Sequence, residues 1–147
     1  MTTFTGYLIR RAQQAHVATW QRIVSDDVTS VQFGVLMTLA EHPESSQREI
    51  CDALDLDRST IADIVQRLQR RGLIARRRDD VDRRRNTLRL TEFGESEDAA
   101  LLPRVQSLDA ALTRGLSATE SEQLRHLLAL MLEGVQTAGD PAAAGTD

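Results

Sequence analysis

Two short segments of helical periodicity, each opened by its own cap and joined by a tight turn, constrain this chain more than any other feature. Ser46 and Glu49 form an S-x-x-E capping box, in which serine and glutamate side chains satisfy the backbone N–H groups that a helix start leaves open. Ile50, Ala53 and Leu54 then give that helix one apolar side. After Leu56, Asp57 is a natural N-cap for Arg58-Ser59-Thr60. Ile61, Ile64, Val65 and Leu68 recur at i, i+3, i+4, i+7, and Gly72 stands where a left-handed C-cap belongs. The other face of this second helix carries Ser59, Ala62, Asp63, Gln66, Arg67 and Arg70. Two helices of about eight to fifteen residues around a tight turn, the second with a short polar and basic face, form a helix-turn-helix.

The segment after Gly72 refines that reading. Leu73-Ile74-Ala75 and the alternating Thr87-Leu88-Arg89-Leu90 predict two short strands, joined by the long charged tip RRRDDVDRRRN. A basic hairpin directly after a helix-turn-helix is the winged form, in which the hairpin reaches the DNA backbone or the minor groove beside the second helix. The net charge of −4 on its own opposes this, yet the charge is segregated. Residues 45–90 hold twelve arginines and eight acids, and the rest of the chain six arginines and fourteen acids. All eighteen basic residues are arginine. Their planar forks suit phosphate and guanine, although a GC-rich coding sequence produces the same bias.

The flanks are helical. Residues 4 to about 25 place Leu8, Ile9, Ala12, Ala15, Trp20 and Ile23 on a wide apolar surface. The box Thr29/Gln32 opens a helix bearing Phe33, Leu36, Met37 and Ala40, which ends before Pro43. Thr91 caps a long helix with Leu101, Leu102, Val105, Leu108 and Leu112, interrupted by Pro103. The box Ser117/Glu120 leads into Leu124, Leu127, Leu128, Met131 and Val135. The expected organisation is mainly α with a small β-hairpin wing. Residues 29–91 form the winged helix-turn-helix lobe, residues 1–28 and 92–136 form dimerisation helices, and residues 137–147 form a disordered tail, poor in large apolar groups.

Other classes find little support. No apolar run is long enough to span a bilayer and no signal core follows the first arginines, which predicts a cytoplasmic protein without a membrane partner. Cys51 is the sole cysteine and the three histidines are scattered, so neither a disulfide nor a metal site is expected. The neighbours Ile50, Ala53 and Leu54 make Cys51 a core thiol, with a redox-responsive thiol as the alternative. No nucleophile motif, P-loop or G-x-G-x-x-G is present, so neither an enzyme nor a cofactor is expected.

The order of elements, with the string DRSTIADIVQRLQRRGLIARRRDDVDRRRNTLRLTEFG, resembles the family of multiple-antibiotic-resistance regulators across roughly residues 5–136. The sharpest features are Asp82-Arg83-Arg84, similar to the family's D-x-R wing signature, and Leu90-Thr91 with Gly94, similar to its L-T-x-x-G closure. The resemblance implies that the helix from about 58 to 71 enters the major groove. It also implies that Arg84 enters the adjacent minor groove while Asp82 holds the wing arginine. A narrow A·T minor groove concentrates negative potential and attracts a guanidinium. Gln66 suits a base edge, and Arg58, Arg67 and Arg70 suit guanine or phosphate. Ser46, Gln47, Ser59 and Thr60 lie at helix starts that favour phosphate, with caps and nothing more as the plainer reading of Ser46 and Thr60. Arg78, Arg83 and Arg85 complete the expected DNA set, and Asp63 is placed to orient Arg67 from one turn away.

The resemblance further implies a two-fold homodimer on a near-palindromic operator in double-stranded DNA, and hence a regulator, expected to be a repressor. The N-terminal GYLIRRAQQAH and the LDRST turn resemble the branch that controls aromatic catabolism, which implies an aromatic acid or aryl-CoA thioester as the releasing effector. By the same resemblance Arg10 or Arg11 meets the effector carboxylate, with His16 and Trp20 beside the ring. The plainer reading makes Trp20 a core residue. A regulator without a ligand is the remaining alternative.

Overall fold

A computed structural model describes residues 3–139. The helices and strands run in the order α1 (Thr5–Ile23), α2 (Ser30–Glu41), α3 (Gln47–Leu54), α4 (Arg58–Arg70), β1 (Ile74–Arg78), β2 (Asn86–Leu90), α5 (Glu92–Leu112) and α6 (Ala118–Gly139). The expected caps form. Thr29 and Ser46 each make a reciprocal box with Gln32 and Glu49, and Asp57 accepts from the Thr60 N–H. Ser117 and Glu120 make the same exchange before α6.

Two left-handed residues bracket α4. Asp55, at φ 51°, turns the chain out of α3, and Gly72, at φ 73°, ends the run after Arg71. The Leu73 N–H then donates to the Leu68 carbonyl, closing the helix end as a left-handed cap requires.

The chain forms two compact units that divide between Asp109 and Ala110. The core of the first joins Trp20 of α1 and Val24 just after it, Phe33, Leu36 and Leu39 of α2, Ile50 of α3, Ile61, Val65 and Leu68 of α4, Leu88 of β2, and Leu101 and Leu108 of α5. The α4 side chains come from the stripe their spacing defined, whereas in α2 Met37 and Ala40 of the expected stripe are exposed and Val35 and Leu39 are buried instead, α2 being covered on more than one side. The C-terminal end of α1, through Trp20 and the partly buried Ile23, joins the core around which the helix-turn-helix is built. Cys51 lies in this core, 8% exposed. The second unit holds α6, whose Leu127, Leu130 and Leu132 are exposed.

The hairpin departs from expectation. β1 runs to Arg78 where Ala75 was expected as its end, and β2 begins at Asn86, so the tip shrinks to residues 79–85. The register pairs Arg76 with Leu88, Arg77 with Thr87 and Arg78 with Asn86. These arginines are exposed, so no apolar alternation marks them as strand. The α2–α3 turn adds a third edge, the Leu88 N–H donating to the Ser45 carbonyl at 2.8 Å. α1 stops at Ile23, and α6 continues through residues 137–139 of the expected tail; the rest of that tail lies outside the described residues.

Candidate nucleic-acid interface

The face of α4 opposite Ile61, Ile64, Val65 and Leu68 carries Arg58, Ser59, Ala62, Asp63, Gln66, Arg67 and Arg70, all exposed. Asp63 holds the Arg67 guanidinium at 3.0 Å across one turn, as the spacing predicted. At the helix start, Asp57 accepts from both the Ser59 and Thr60 hydroxyls and from the Thr60 N–H at 3.1 Å. The Ser59 hydroxyl, then the two Thr60 groups, hold the Asp57 carboxyl down at about 2. A carboxylate therefore occupies the anion position of the α4 N-terminus. Ser59 and Thr60 are both engaged with the Asp57 cap.

The same holds for α3. Glu49 accepts from the Ser46 N–H at 2.6 Å and the Ser46 hydroxyl at 2.8 Å, while Gln47 accepts from Arg76 at 2.5 Å. Gln47 is thus turned onto the wing. Arg85 is turned inward as well, donating to both Glu49 oxygens at 2.6 and 2.8 Å and lying 3.8 Å from Asp79. Arg77 pairs with Asp80 at 2.6 Å and approaches Glu44 at 3.9 Å, and Glu44 also accepts from the Thr87 hydroxyl at 2.5 Å. The α2–α3 segment thus holds the hairpin through Glu44, Gln47 and Glu49. Those contacts engage Arg76, Arg77 and Arg85 and leave Arg78, Arg83 and Arg84 exposed, with no ion pair among the described residues.

The tip is ordered by its aspartates. Asp79 accepts from the Val81 N–H at 2.9 Å and the Asp82 N–H at 3.4 Å, and these bonds hold its carboxyl below the usual range. Asp82 accepts from the Arg84 N–H at 3.0 Å, and the Arg85 N–H donates to the Asp82 carbonyl at 2.9 Å. Asp82 therefore positions Arg84 through its backbone and leaves the guanidinium outside the turn.

The effector candidates on α1 are dispersed. Trp20 is buried, donating from Nε1 to the Val28 carbonyl at 2.6 Å and lying against Phe33 at 5.8 Å between ring centroids. His16 tilts on the Trp20 ring at 6.0 Å. Trp20 also walls a cleft of about 300 Å³, with Gln13, Val17, Gln21, Val28 and Val31 among its other residues. Arg10, Arg11 and His16 do not line it. Arg10 extends over Tyr7 and donates to Gln14, and Arg11 donates to the Tyr7 hydroxyl at 3.2 Å.

The MarR family profile matches residues 26–85, which span the helix-turn-helix and most of the hairpin. The repressor NicR of Pseudomonas putida is 35% identical over 140 residues, covering 95% of this chain and 89% of NicR. The chain belongs to the MarR family. Among solved structures, PcaV of Streptomyces coelicolor with its natural ligand superposes with a TM-score of 0.87 at 38% identity, over 91% of this chain and 95% of PcaV. BpsR of Bordetella bronchiseptica, whose DNA binding is regulated by 6-hydroxynicotinic acid, gives 0.84 at 30% identity, over 89% and 94%. This MarR-family chain is a DNA-binding transcriptional regulator with the winged fold, and among the described residues no helix is long and apolar enough to cross a membrane.

Sequence reasoning missed the bracing of the MarR wing. Glu49 was legible only as a capping residue, because nothing local announces a partner 36 positions away. The bracing has a pH signature. The Ser46 backbone, then the Ser46 hydroxyl and Arg85, lower the Glu49 carboxyl from 4.5 to about 2. A carboxyl depressed in the folded state adds stability above its unfolded pKa and loses it as pH falls toward the folded value. Stability should therefore decline between about pH 4.5 and 2, and the decline should be shallower in Glu49→Gln. Melting curves of both proteins across that range test this; equal slopes would rule out Glu49 as the titrating brace. Because Glu49 is solvent-exposed, the effect should stay small.

Proposed function

We propose that this regulator represses transcription as a homodimer on a near-palindromic operator and is released by a small aromatic carboxylate or its CoA thioester. The observation carrying the DNA half is that one lobe exposes both the α4 face, with Arg58, Gln66, Arg67 and Arg70, and a tip whose Arg83 and Arg84 guanidiniums are unpaired. Gln66 and the α4 arginines are assigned to the major groove and Arg84 to the minor groove, with Arg78 and Arg83 on phosphate. The exposed Leu8 and Ile9 of α1 and the exposed leucines of α6 are assigned to the dimer, which sets two α4 helices about 34 Å apart, one turn of DNA.

Support for the effector comes from the cleft beside Trp20 and from the relatives, one named a repressor and one regulated by a hydroxylated aromatic acid. Helix geometry separates the two arginines. At 100° per residue Arg10 shares a stripe with the cleft residues Gln13, Val17 and Gln21, whereas Arg11 points about 100° away. Arg10 is therefore assigned to the carboxylate and Trp20 to the ring, with His16 behind it. The buried Cys51 gives no support to a redox trigger.

The test is a fluorescence-anisotropy titration of operator-bound protein with benzoates, hydroxycinnamates, 6-hydroxynicotinic acid and their CoA esters. At least one should release the DNA, and Arg10→Ala should raise the concentration required about tenfold, the equivalent of 1.4 kcal/mol of lost interaction. If none acts while an oxidant does, the effector assignment is wrong.

A further inference from the structure

The tip of the wing carries one residue that neither charge nor folding accounts for. Val81 is 97% exposed, more than any other large apolar side chain among the described residues. It stands between the Asp79-Asp80 pair and Asp82-Arg83-Arg84, in the tip beyond the last register pair, Arg78 with Asn86. The position is also fixed. The Val81 N–H is held by the Asp79 carboxylate at 2.9 Å, the next N–H by the same oxygen, and the Arg84 N–H by Asp82. The Asp79 N–H donates to the Arg85 carbonyl at 2.9 Å, closing the turn at its base.

Each tip aspartate has a partner within the hairpin, although Asp80 and Asp82 remain exposed. Asp79 faces the turn backbone, Asp80 is bound by Arg77 at 2.6 Å, and Asp82 caps Arg84. The tip therefore presents a branched apolar group beside two unpaired guanidiniums, with the exposed Asp80 carboxylate paired to Arg77 and Asp82 bound to the Arg84 N–H. That combination matches a minor groove, whose phosphates and negative floor draw arginine while its walls are the apolar faces of deoxyribose.

We propose that Val81 is an affinity-determining residue of the wing, packing on deoxyribose in the minor groove when Arg84 enters it. The assignment rests on the reading that the wing binds DNA. Because the contact is apolar, it adds to binding without releasing counterions, so it leaves the salt dependence untouched. A rigid turn also loses little further freedom when the side chain is covered.

The test is operator affinity across a salt series for the parent protein, Val81→Thr, Val81→Ile and Arg84→Ala. Threonine keeps the branched shape and exchanges one methyl for a hydroxyl, so folding and turn preference are preserved. Val81→Thr should weaken binding about fivefold with an unchanged salt slope, and Val81→Ile should bind at least as tightly as the parent. Parent-like affinity in Val81→Thr, with Arg84→Ala impaired, overturns the assignment and leaves the wing on DNA. Parent-like affinity in both variants overturns the wing reading itself and the Val81 assignment with it.

Discussion

Replacing Arg84 by alanine should weaken operator binding by about 1 to 3 kcal/mol and reduce the magnitude of the salt slope by about one. The expectation comes from how the tip is built. Asp82 fixes the Arg84 backbone at 3.0 Å, so the exposed guanidinium is presented without losing an intramolecular ion pair on binding. Little of its attraction to phosphate and to the groove floor is then spent on breaking contacts. The fold should survive, because the side chain contributes nothing to the core. Gln66→Ala is the matching control on α4. Losing a base-edge donor and acceptor should relax base preference more than it lowers non-specific binding. Equilibrium binding to operator and to unrelated duplex, across a salt series, measures both. An Arg84→Ala protein with parent affinity and slope would remove the wing from the mechanism.

The second large effect concerns stability and lies at Gly94. A Cβ built there would fall 1.9 Å from the Leu73 carbonyl oxygen and 2.9 Å from its carbon. Neither is the end of a flexible side chain, so only a backbone shift relieves the overlap. That backbone is committed elsewhere. The Leu73 carbonyl accepts from the Thr91 N–H at 3.0 Å, the Thr91 hydroxyl reaches the Gly72 and Leu73 carbonyls, and the Gly94 N–H donates to that hydroxyl at 3.0 Å. Gly94→Ala should therefore cost about 3 kcal/mol, or roughly 10 °C in Tm, and should loosen the hairpin where it joins α5. Thermal melts and hydrogen exchange at Leu73–Ile74 measure it. Parent-like stability would show that the Thr91–Leu73 junction is softer than its hydrogen bonds imply.

These two sites illustrate what a single sequence reveals. The caps at Thr29, Ser46, Asp57 and Ser117 were legible because both partners lie within three residues, and Gly72 because a left-handed helix end favours glycine. The inward stripe of α4 was legible because its period is that of the helix. The winged fold emerged from those local signals and from the family resemblance. The outer half of β1 was not legible, since arginines facing water leave no alternation to detect, whereas β2 was expected to within one residue. The D-x-R and L-T-x-x-G motifs marked Arg84 and Gly94 as residues of interest, but the reasons came from tertiary structure: a backbone-held arginine and a carbonyl 1.9 Å from a position with no room for a side chain. The division of the arginines was equally hidden. Arg85 and Arg84 are adjacent, yet one is bound by Glu49 and the other makes no ion pair, a division set in the turn closed by Asp82 and not by any local spacing. For α1, the resemblance offered two arginines, and the helix stripe shared with the cleft residues Gln13 and Val17 is what favours Arg10 in the proposed assignment.

Two copies of this lobe should grip DNA together, through α4 in the major groove and the wing tip in the minor groove. Hydroxyl-radical footprinting of the intergenic DNA beside the regulator's own gene is the decisive measurement. It should show two symmetry-related protected zones about one helical turn apart, roughly 34 Å, each with a flanking minor-groove protection that disappears in Arg84→Ala while the central zones persist. A single unsymmetrical zone, or flanking protection unchanged in Arg84→Ala, would contradict this mode of binding.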